Sequence, residues 1–523
     1  MKISRALYFL VCICLSLATH AQEAHSDSTT HTADTTRIIH IVKSDIFRRL
    51  KNDSTGDLNV LIGNVVLKQE NSLFYCDSAI QDARNNQFEA FGKIHINDSD
   101  SVHTYSEYLK YTGNNKMANL RQKVKLTDGK AVLTTEVLDY DMNAKIGTYY
   151  NGGKVVNGKT VLTSKDGFYY ADTKEIYFQN FVKVVDPAYT MATDTLLYNL
   201  KSETATFLAA TTIKDDKSRI RTKAGYYDLK AGKAHFTKRP IIDDSTQLII
   251  ADTLDYDKKT SIGIATGNVF YRDSAQGVTM LSGGAKLNND TKAFVSYKKP
   301  LMILKQDSDS MYIAADTLLS AYHTKDTSIK KFSTDTLRYF KAFHTVRMFS
   351  DSLQGKCDSL YYSTIDSVFR FFHDPVMWTR GSQITGDTIS LATKNRKPDL
   401  FYVSENAFSI NAIEDSIYNQ LRGNTLTGYF LDGEIDHMRA KGNSESVYYL
   451  QDQDSAYVGM SYEQADAITM RFIKRELKRV TWVNGVVGTI YPFSRIPTEK
   501  KQLRGFKWLE AERPKSAAEL FAY

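Results

Sequence analysis

The chain is poor in the residues that most small secreted scaffolds and most enzymes rely on. Of 523 residues only 8 are proline and 3 tryptophan. It has 4 cysteines, and Cys12 and Cys14 fall in an N-terminal apolar run, which leaves Cys76 and Cys357 for the body. Two thiols exclude a disulfide-dense framework and an all-thiolate zinc site. Nothing after residue 21 has the length and apolarity of a transmembrane helix. The formal charge of +7 is spread along the chain, without the basic stripe of a nucleic-acid binder. Also absent are a G-x-S-x-G elbow, a phosphate loop, an H-E-x-x-H helix, a dinucleotide fingerprint and any cofactor motif. The histidines, among them His95, His103, His235, His344, His373 and His437, are spaced as isolated residues. These gaps predict a protein that is not an enzyme, holds no metal and binds no nucleic acid.

What is present is aromatic and β-branched. There are 32 tyrosines and 26 phenylalanines, a composition that suits strands with one packed face. Lys2 and Arg5, the apolar run Ala6–Ala18 and the small residues Thr19-His20-Ala21 read as a cleaved signal peptide over 1–21, hence secretion. No Leu-small-small stretch precedes Cys12 or Cys14, so a lipid anchor is not expected. Residues 22–37 read as a disordered leader.

From about Ile38 one short motif recurs: an acid, a small residue, an aliphatic, any residue, then Tyr. Asp194-Thr195-Leu196-Leu197-Tyr198, Asp252-Thr253-Leu254-Asp255-Tyr256, Asp335-Thr336-Leu337-Arg338-Tyr339 and Asp358-Ser359-Leu360-Tyr361-Tyr362 carry it. Looser copies begin at Asp77, Glu107, Glu136, Asp166, Asp316, Asp387, Asp415, Glu445 and Asp466, with degenerate ones near Ala224 and Gly283. Most successive copies lie 28 to 33 residues apart; three spacings of 19 to 23 follow Asp316, Asp335 and Glu445. A second motif, Gly-x-Val/Ile, sits about 14 residues ahead of many copies, as at Gly63, Gly92, Gly153 and Gly267.

Strand side chains alternate with period 2. Leu196 with Tyr198, Leu254 with Tyr256 and Leu337 with Tyr339 therefore share one apolar face, with Asp255, Arg338 and Lys110 on a wet one. A repeat this short closes no core alone, and stacking on its neighbours buries the apolar face. The expected fold is all-β, an elongated repeat slab of stacked short antiparallel strands. Fifteen units at ~4.8 Å each predict a body roughly 70 Å long, with Cys76 and Cys357 too far apart to bridge. The recurring Asp reads as a corner residue that accepts local backbone hydrogen bonds, with a calcium ladder as the alternative. The character changes after about Gly423, Arg471–Arg479 reads as a basic cap, and Leu503–Trp508 with Arg513-Pro514 reads as a docking segment before a last helix at Ser516–Phe521.

The phrases Leu61-Ile62-Gly63-Asn64-Val65, Ala251-Asp252-Thr253-Leu254-Asp255-Tyr256 and Ala265-Thr266-Gly267-Asn268-Val269 resemble the organic-solvent-tolerance (OstA/LptA-like) family of lipopolysaccharide transport proteins. The large OstA-like proteins of Bacteroidetes-type bacteria look most similar, and the resemblance runs over about 38–515. It implies a β-jellyroll open along one side, with an apolar trough that shields lipopolysaccharide acyl chains and bridges the inner to the outer membrane in the periplasm. It implies partners too: lipopolysaccharide, other slab domains of the transport machinery joined end to end by strand pairing, and further copies of the chain. The divisions expected are 38–300 and 301–480 for the repeats and their cap, and 481–523 for a tail. Leu196, Tyr198, Leu254, Tyr256, Leu337 and Tyr339 are the trough candidates. The alternatives are a structural or adhesive β-solenoid with a solid core, and a carbohydrate-acting β-helix, which needs converging acids.

Overall fold

The computed structural model describes residues 38–51, 57–98, 102–216, 218–305, 310–323, 337–379, 381–395, 397–414, 416–454, 456–473 and 476–521. The expected signal peptide and leader, and the acids that begin the motif copies at Asp335 and Asp415, lie outside them. The described strands form one continuous antiparallel sheet, and apart from short 3-10 turns near the C-terminus the fold is β throughout.

The two sequence motifs turn out to be the two sides of one corner. A long strand such as Leu58–Gln69 runs straight to Gly63-Asn64, where both residues take positive φ (80° and 45°), and leaves in a new direction. The pairing register slips there, between Ile62 and Val65. Its neighbour, Ser72–Asp82, bends at Asp77. Each bend splits a strand into two halves that belong to two walls. One wall, here wall A, holds Val65–Gln69, Ser72–Cys76 and Ile94–Asp98; the other, wall B, holds Leu58–Ile62, Ser78–Asp82 and Gln87–Phe91. Where strands are short, the split is complete: Tyr189–Asn199 pairs through its first half with Thr211–Lys214 in wall A and through its second with Thr204–Phe207 in wall B.

The corner explains the chemistry of both motifs. Only glycine fits easily where φ is +75° and a β-carbon would lie 2.4 Å from Asp252 Oδ2, as at Gly267. The Asp252 backbone N–H donates to Gly267 O (2.8 Å), and Asn268 Nδ2 donates to Asp252 Oδ2 (2.8 Å). Asn64 with Asp45 and Asn180 with Asp166 repeat the side-chain bond at 2.8 Å, and Asn406 with Asp387 at 3.0 Å. The recurring Asp does fix a corner, but its carboxylate is held mainly by the adjacent strand's corner residue rather than by its own local backbone.

Two motif copies, those of Arg338-Tyr339 and Glu445, are out of frame. Successive acid corners are Asp316 and Asp358; of the copy that begins at Asp335, the described residues Leu337–Tyr339 run into strand Arg338–Phe349, which turns at His344-Thr345 in the manner of the glycine motif. Glu445 lies just past the Gly442-Asn443 corner, and Asn424 holds the position facing Gly442. Each repeat also adds two strands to each wall, a rise of about 9.6 Å, so the body is roughly twice as long as the single-strand count predicts.

The walls close on each other through interdigitated side chains. Phe74 of wall A meets Phe88 of wall B edge-on at 5.3 Å and Tyr111 at 4.5 Å; Tyr271 stacks on Phe294 at 4.2 Å. Cys76 and Cys357 are free and buried in this interior. Burial, with Asp77 beside Cys76, pushes the Cys76 thiol up to about 12; burial does the same for Cys357.

The expected tail from 481 begins later. Glu476–Val483 ends wall B and Val487–Pro492 ends wall A. Residues 493–521 then turn back along wall A. Three buried glutamines dock them: Gln420 donates to Lys501 O and accepts from Leu503 N–H, Gln383 donates to Lys507 O and accepts from Leu509 N–H, and Gln354 accepts from Arg513 Nε. Leu503, Phe506 and Trp508 complete a second apolar cluster with Phe408, Ile410, Val447 and Met460. Ala517–Phe521 is a 3-10 turn, not an α-helix.

Candidate functional site

Opposite the corner, the hairpin turns of the two walls face each other and form a mouth. The tyrosine of the Leu-x-Tyr motif stands on wall B just inside this mouth, and at several levels its hydroxyl reaches across. Tyr111 bonds Gln69, whose Nε2 donates to Gly113 O on the opposite turn (3.1 Å). Tyr140 donates to Asp98 Oδ2 (3.2 Å), and Asn157 donates to Tyr198 Oη (3.3 Å). Charged turn residues cross as well: Lys116 with Glu70 at 2.6 Å and Lys174 with Asp128 at 3.7 Å. These bonds clasp the lower half of the mouth.

Further along, Arg338 of wall B meets Asp273 of wall A at 3.2 Å, with only 1% and 2% of their side chains exposed. Arg338 also donates to Ser320 Oγ (3.0 Å) and lies 4.1 Å over the ring of Tyr322. Burial works against its charge, but Tyr271, Tyr322 and Asp273 together hold its pKa above the usual value. This corrects the sequence reading, which placed Arg338 on the wet face. The frame shift is the cause: in strand Arg338–Phe349 it is Arg338 and Phe340 that point inward.

Between the Asn157–Tyr198 bridge and the Asp273–Arg338 pair the walls part. A cavity of about 250 Å³ lies there, lined by Tyr189, Ile213, Ile220 and Ile242 from wall A and by Tyr227, Ala234, Phe236, Leu254 and Tyr256 from wall B. It reaches the mouth at Asp215, Ser218, Lys258 and Asn289. Here the ladder tyrosines do not cross: neither the Tyr227 nor the Tyr256 hydroxyl makes a hydrogen bond among the described residues. Ile220, Tyr227, Ile242 and Tyr256 are accordingly half-buried, whereas ladder residues lower in the slab are fully so. Burial, followed by the neighbouring Tyr256 and Asp186, raises the pKa of Tyr227, so its hydroxyl stays protonated at neutral pH.

The six trough candidates therefore divide three ways. Leu254 and Tyr256 line the cavity. Leu196 and Tyr198 are buried in the closed interior beside it, and burial raises the Tyr198 pKa. Leu337 and Tyr339 are half-buried on the phase opposite to Arg338 and Phe340, and Tyr339 packs with His323 and Tyr361. Tyr227, Phe236, Ile220 and Ile242 were not singled out from the sequence. The signal for Tyr227 was the degenerate copy at Ala224, where the repeat loosens.

Among the described residues no group of three or more His, Cys, Asp or Glu side chains could hold a metal ion. The histidines are not all isolated: His95 Nε2 and His103 Nδ1 lie 3.1 Å apart on wall A, with His95 stacked on Tyr105 at 4.6 Å. Burial, then the charge of His103, holds the His95 pKa below its usual value. No helix among the described residues is long and apolar enough to cross a membrane.

Residues 36–194, a little under a third of the chain, match the family model described as OstA-like protein. The crystal structure of LptH, the LptA homologous periplasmic component of the lipopolysaccharide transport device from Pseudomonas aeruginosa, aligns with 12% identity over 25% of this chain and 93% of that chain, with a TM-score of 0.20. No curated protein matches. The chain thus carries, in its first part, a distant likeness to OstA-like proteins on an antiparallel, solenoid-like β framework.

Proposed function

We propose that this protein holds acyl chains of lipopolysaccharide between its two walls and carries them through the periplasm as part of a β-slab bridge from inner to outer membrane. The observation that carries the reading is the unclasped cavity between Tyr198 and Arg338: apolar on both walls, open at the mouth, and bordered by Tyr227 and Tyr256, whose hydroxyls make no hydrogen bond among the described residues. Its volume is just below the roughly 300 Å³ at which small-molecule pockets begin, so it suits a segment of chain rather than a whole lipid. A buried methylene contributes about 0.8 kcal/mol, which lets apolar area alone retain a chain. Movement along the slab then requires the polar clasps to open level by level. The OstA-like match over residues 36–194 supports the same reading.

The ends supply surfaces for partner slabs. Among the described residues Ile46–Leu50 pairs on one side only; it and His40–Lys43 are exposed throughout and present Val42, Phe47 and Leu50. Val487–Pro492 is the equivalent edge at the other end, with Val487 and Ile490 exposed. Edge strands such as Ile46–Leu50 and Val487–Pro492 accept a further strand.

A second reading, a structural slab without a lipid path, is favoured by the closed interior around Phe74, Phe88 and Tyr111 and its row of clasps. Native mass spectrometry on protein recovered from a lipopolysaccharide-bearing envelope separates the two. The transport reading expects a lipopolysaccharide adduct that disappears when Ala234→Trp fills the cavity; protein recovered lipid-free in both forms supports the structural slab.

A further inference from the structure

Two of the clasps are ion pairs across the mouth, each from a lysine on a wall B turn to an acid on a wall A turn: Lys116 faces Glu70, and Lys174 faces Asp128. At the cavity the lysines continue on adjoining turns, which are tied together by the Lys258 N–H donating to Gly232 O (2.8 Å). Lys230 and Lys258 are exposed there and neither has an ion-pair partner among the described residues. The acid opposite does not reach for them. Asp215 instead accepts from the backbone N–H of Ser218 (2.7 Å) and from its hydroxyl (2.9 Å). Just inside the same rim stand the Tyr227 and Tyr256 hydroxyls, two donors without acceptors among the described residues. An apolar cavity, two open phenol donors and two unpaired ammonium groups therefore lie in sequence from the interior to the solvent.

We infer that this stretch is an entry window for an amphiphile with an anionic head group, the acyl chain in the cavity and the head held at the rim by Lys230, Lys258, Tyr227 and Tyr256. The inference rests on the interior reading given above and adds the head-group chemistry and the level of entry. An anion at the rim takes the place that a wall A carboxylate occupies at the clasped levels. It supplies acceptors to hydroxyls that have none among the described residues. A neutral amphiphile of the same chain length gains the cavity but not the rim.

The test is calorimetric titration of the full-length protein, below the micellar concentration, with a single-chain palmitoyl lysophosphatidate, with the neutral monopalmitoyl glycerol, and with inorganic phosphate. The expected result is tighter binding of the lysophosphatidate than of the glyceride and none of phosphate alone. The double variant Lys230→Glu/Lys258→Glu, at exposed positions, should remove that preference, a loss of about fivefold or more for two exposed charges, and leave the glyceride unchanged. Tyr227→Phe/Tyr256→Phe should weaken the lysophosphatidate alone. Equal binding of the two lipids, a preference that survives the charge reversal, or phosphate binding as tightly as the lipid overturns the inference. If Ala234→Trp abolishes both lipids while the charge reversal changes nothing, the interior reading stands and the window reading falls. If neither lipid binds the native protein, both fall.

Discussion

Asn268 Nδ2 donates to Asp252 Oδ2 at 2.8 Å across a corner where the Asp252 N–H donates to Gly267 O. This relationship recurs at the corners where Asn64 meets Asp45, Asn180 meets Asp166 and Asn406 meets Asp387, and there it keeps two walls facing each other. A Gly267→Ala change must adopt a left-handed backbone, which costs about 1–2 kcal/mol, and drive its methyl into the Asp252 carboxylate. Asp252→Ala removes the carboxylate and two corner bonds, from Asn268 Nδ2 and from Arg239 Nη1, about 1–2 kcal/mol together at this exposed corner. The double variant is expected to cost less than the two single losses together, because the clash needs both residues. Denaturant melts of the three variants measure the coupling, and strict additivity would show that the two side chains do not meet.

The Asp273–Arg338 pair behaves differently, because both groups are buried. Removing one partner strands the other charge, so Arg338→Met alone and Asp273→Leu alone should each cost about 3–5 kcal/mol. Replacing both should restore most of the loss, since the apolar surroundings of Tyr271 and Tyr322 accept uncharged side chains. Thermal midpoints of the three proteins check this. A double variant as unstable as the worse single one would mean that the pair organises the fold rather than merely bridging it.

Glu463 gives a pH signature. Burial raises its pKa above the usual carboxylate value, offset in part by the Ser446 hydroxyl donating at 2.8 Å. The folded state therefore holds the proton more tightly than the unfolded state, and stability falls as pH rises from the ordinary glutamate range through the raised folded value. Glu463→Gln should flatten that decline and be the more stable protein at neutral pH. A native-like pH profile in the variant would assign the decline to other groups.

The sequence made the all-β repeat legible because the motif is written in backbone necessities. A glycine at positive φ and a carboxylate stacked on it leave a spaced signature that needs no tertiary knowledge. Its frame was less legible. Asp335-Thr336-Leu337-Arg338-Tyr339 satisfies the motif, yet Arg338 and Phe340 point inward, because the register of a strand follows the corner it enters and not the letters ahead of it. A one-residue slip exchanges the faces. The closed mouth was hidden for another reason. Tyr111, Tyr140 and Tyr198 find partners 41 or 42 residues away on the other wall. Such pairings exist only once the walls are stacked. The cavity was visible only as a weakened copy at Ala224, where the expected signal thins out.

The central claim is that acyl chains occupy the space between the walls at the unclasped level. Photo-crosslinking in lipopolysaccharide-producing cells tests it most directly, with a benzophenone side chain placed at Tyr227, at Tyr256 and, as the control, at Tyr339 on the opposite face phase. The account predicts lipopolysaccharide adducts at 227 and 256 and none at 339. Adducts at 339 equal to those at 256, or none at 227 and 256 in a correctly folded protein, would contradict it.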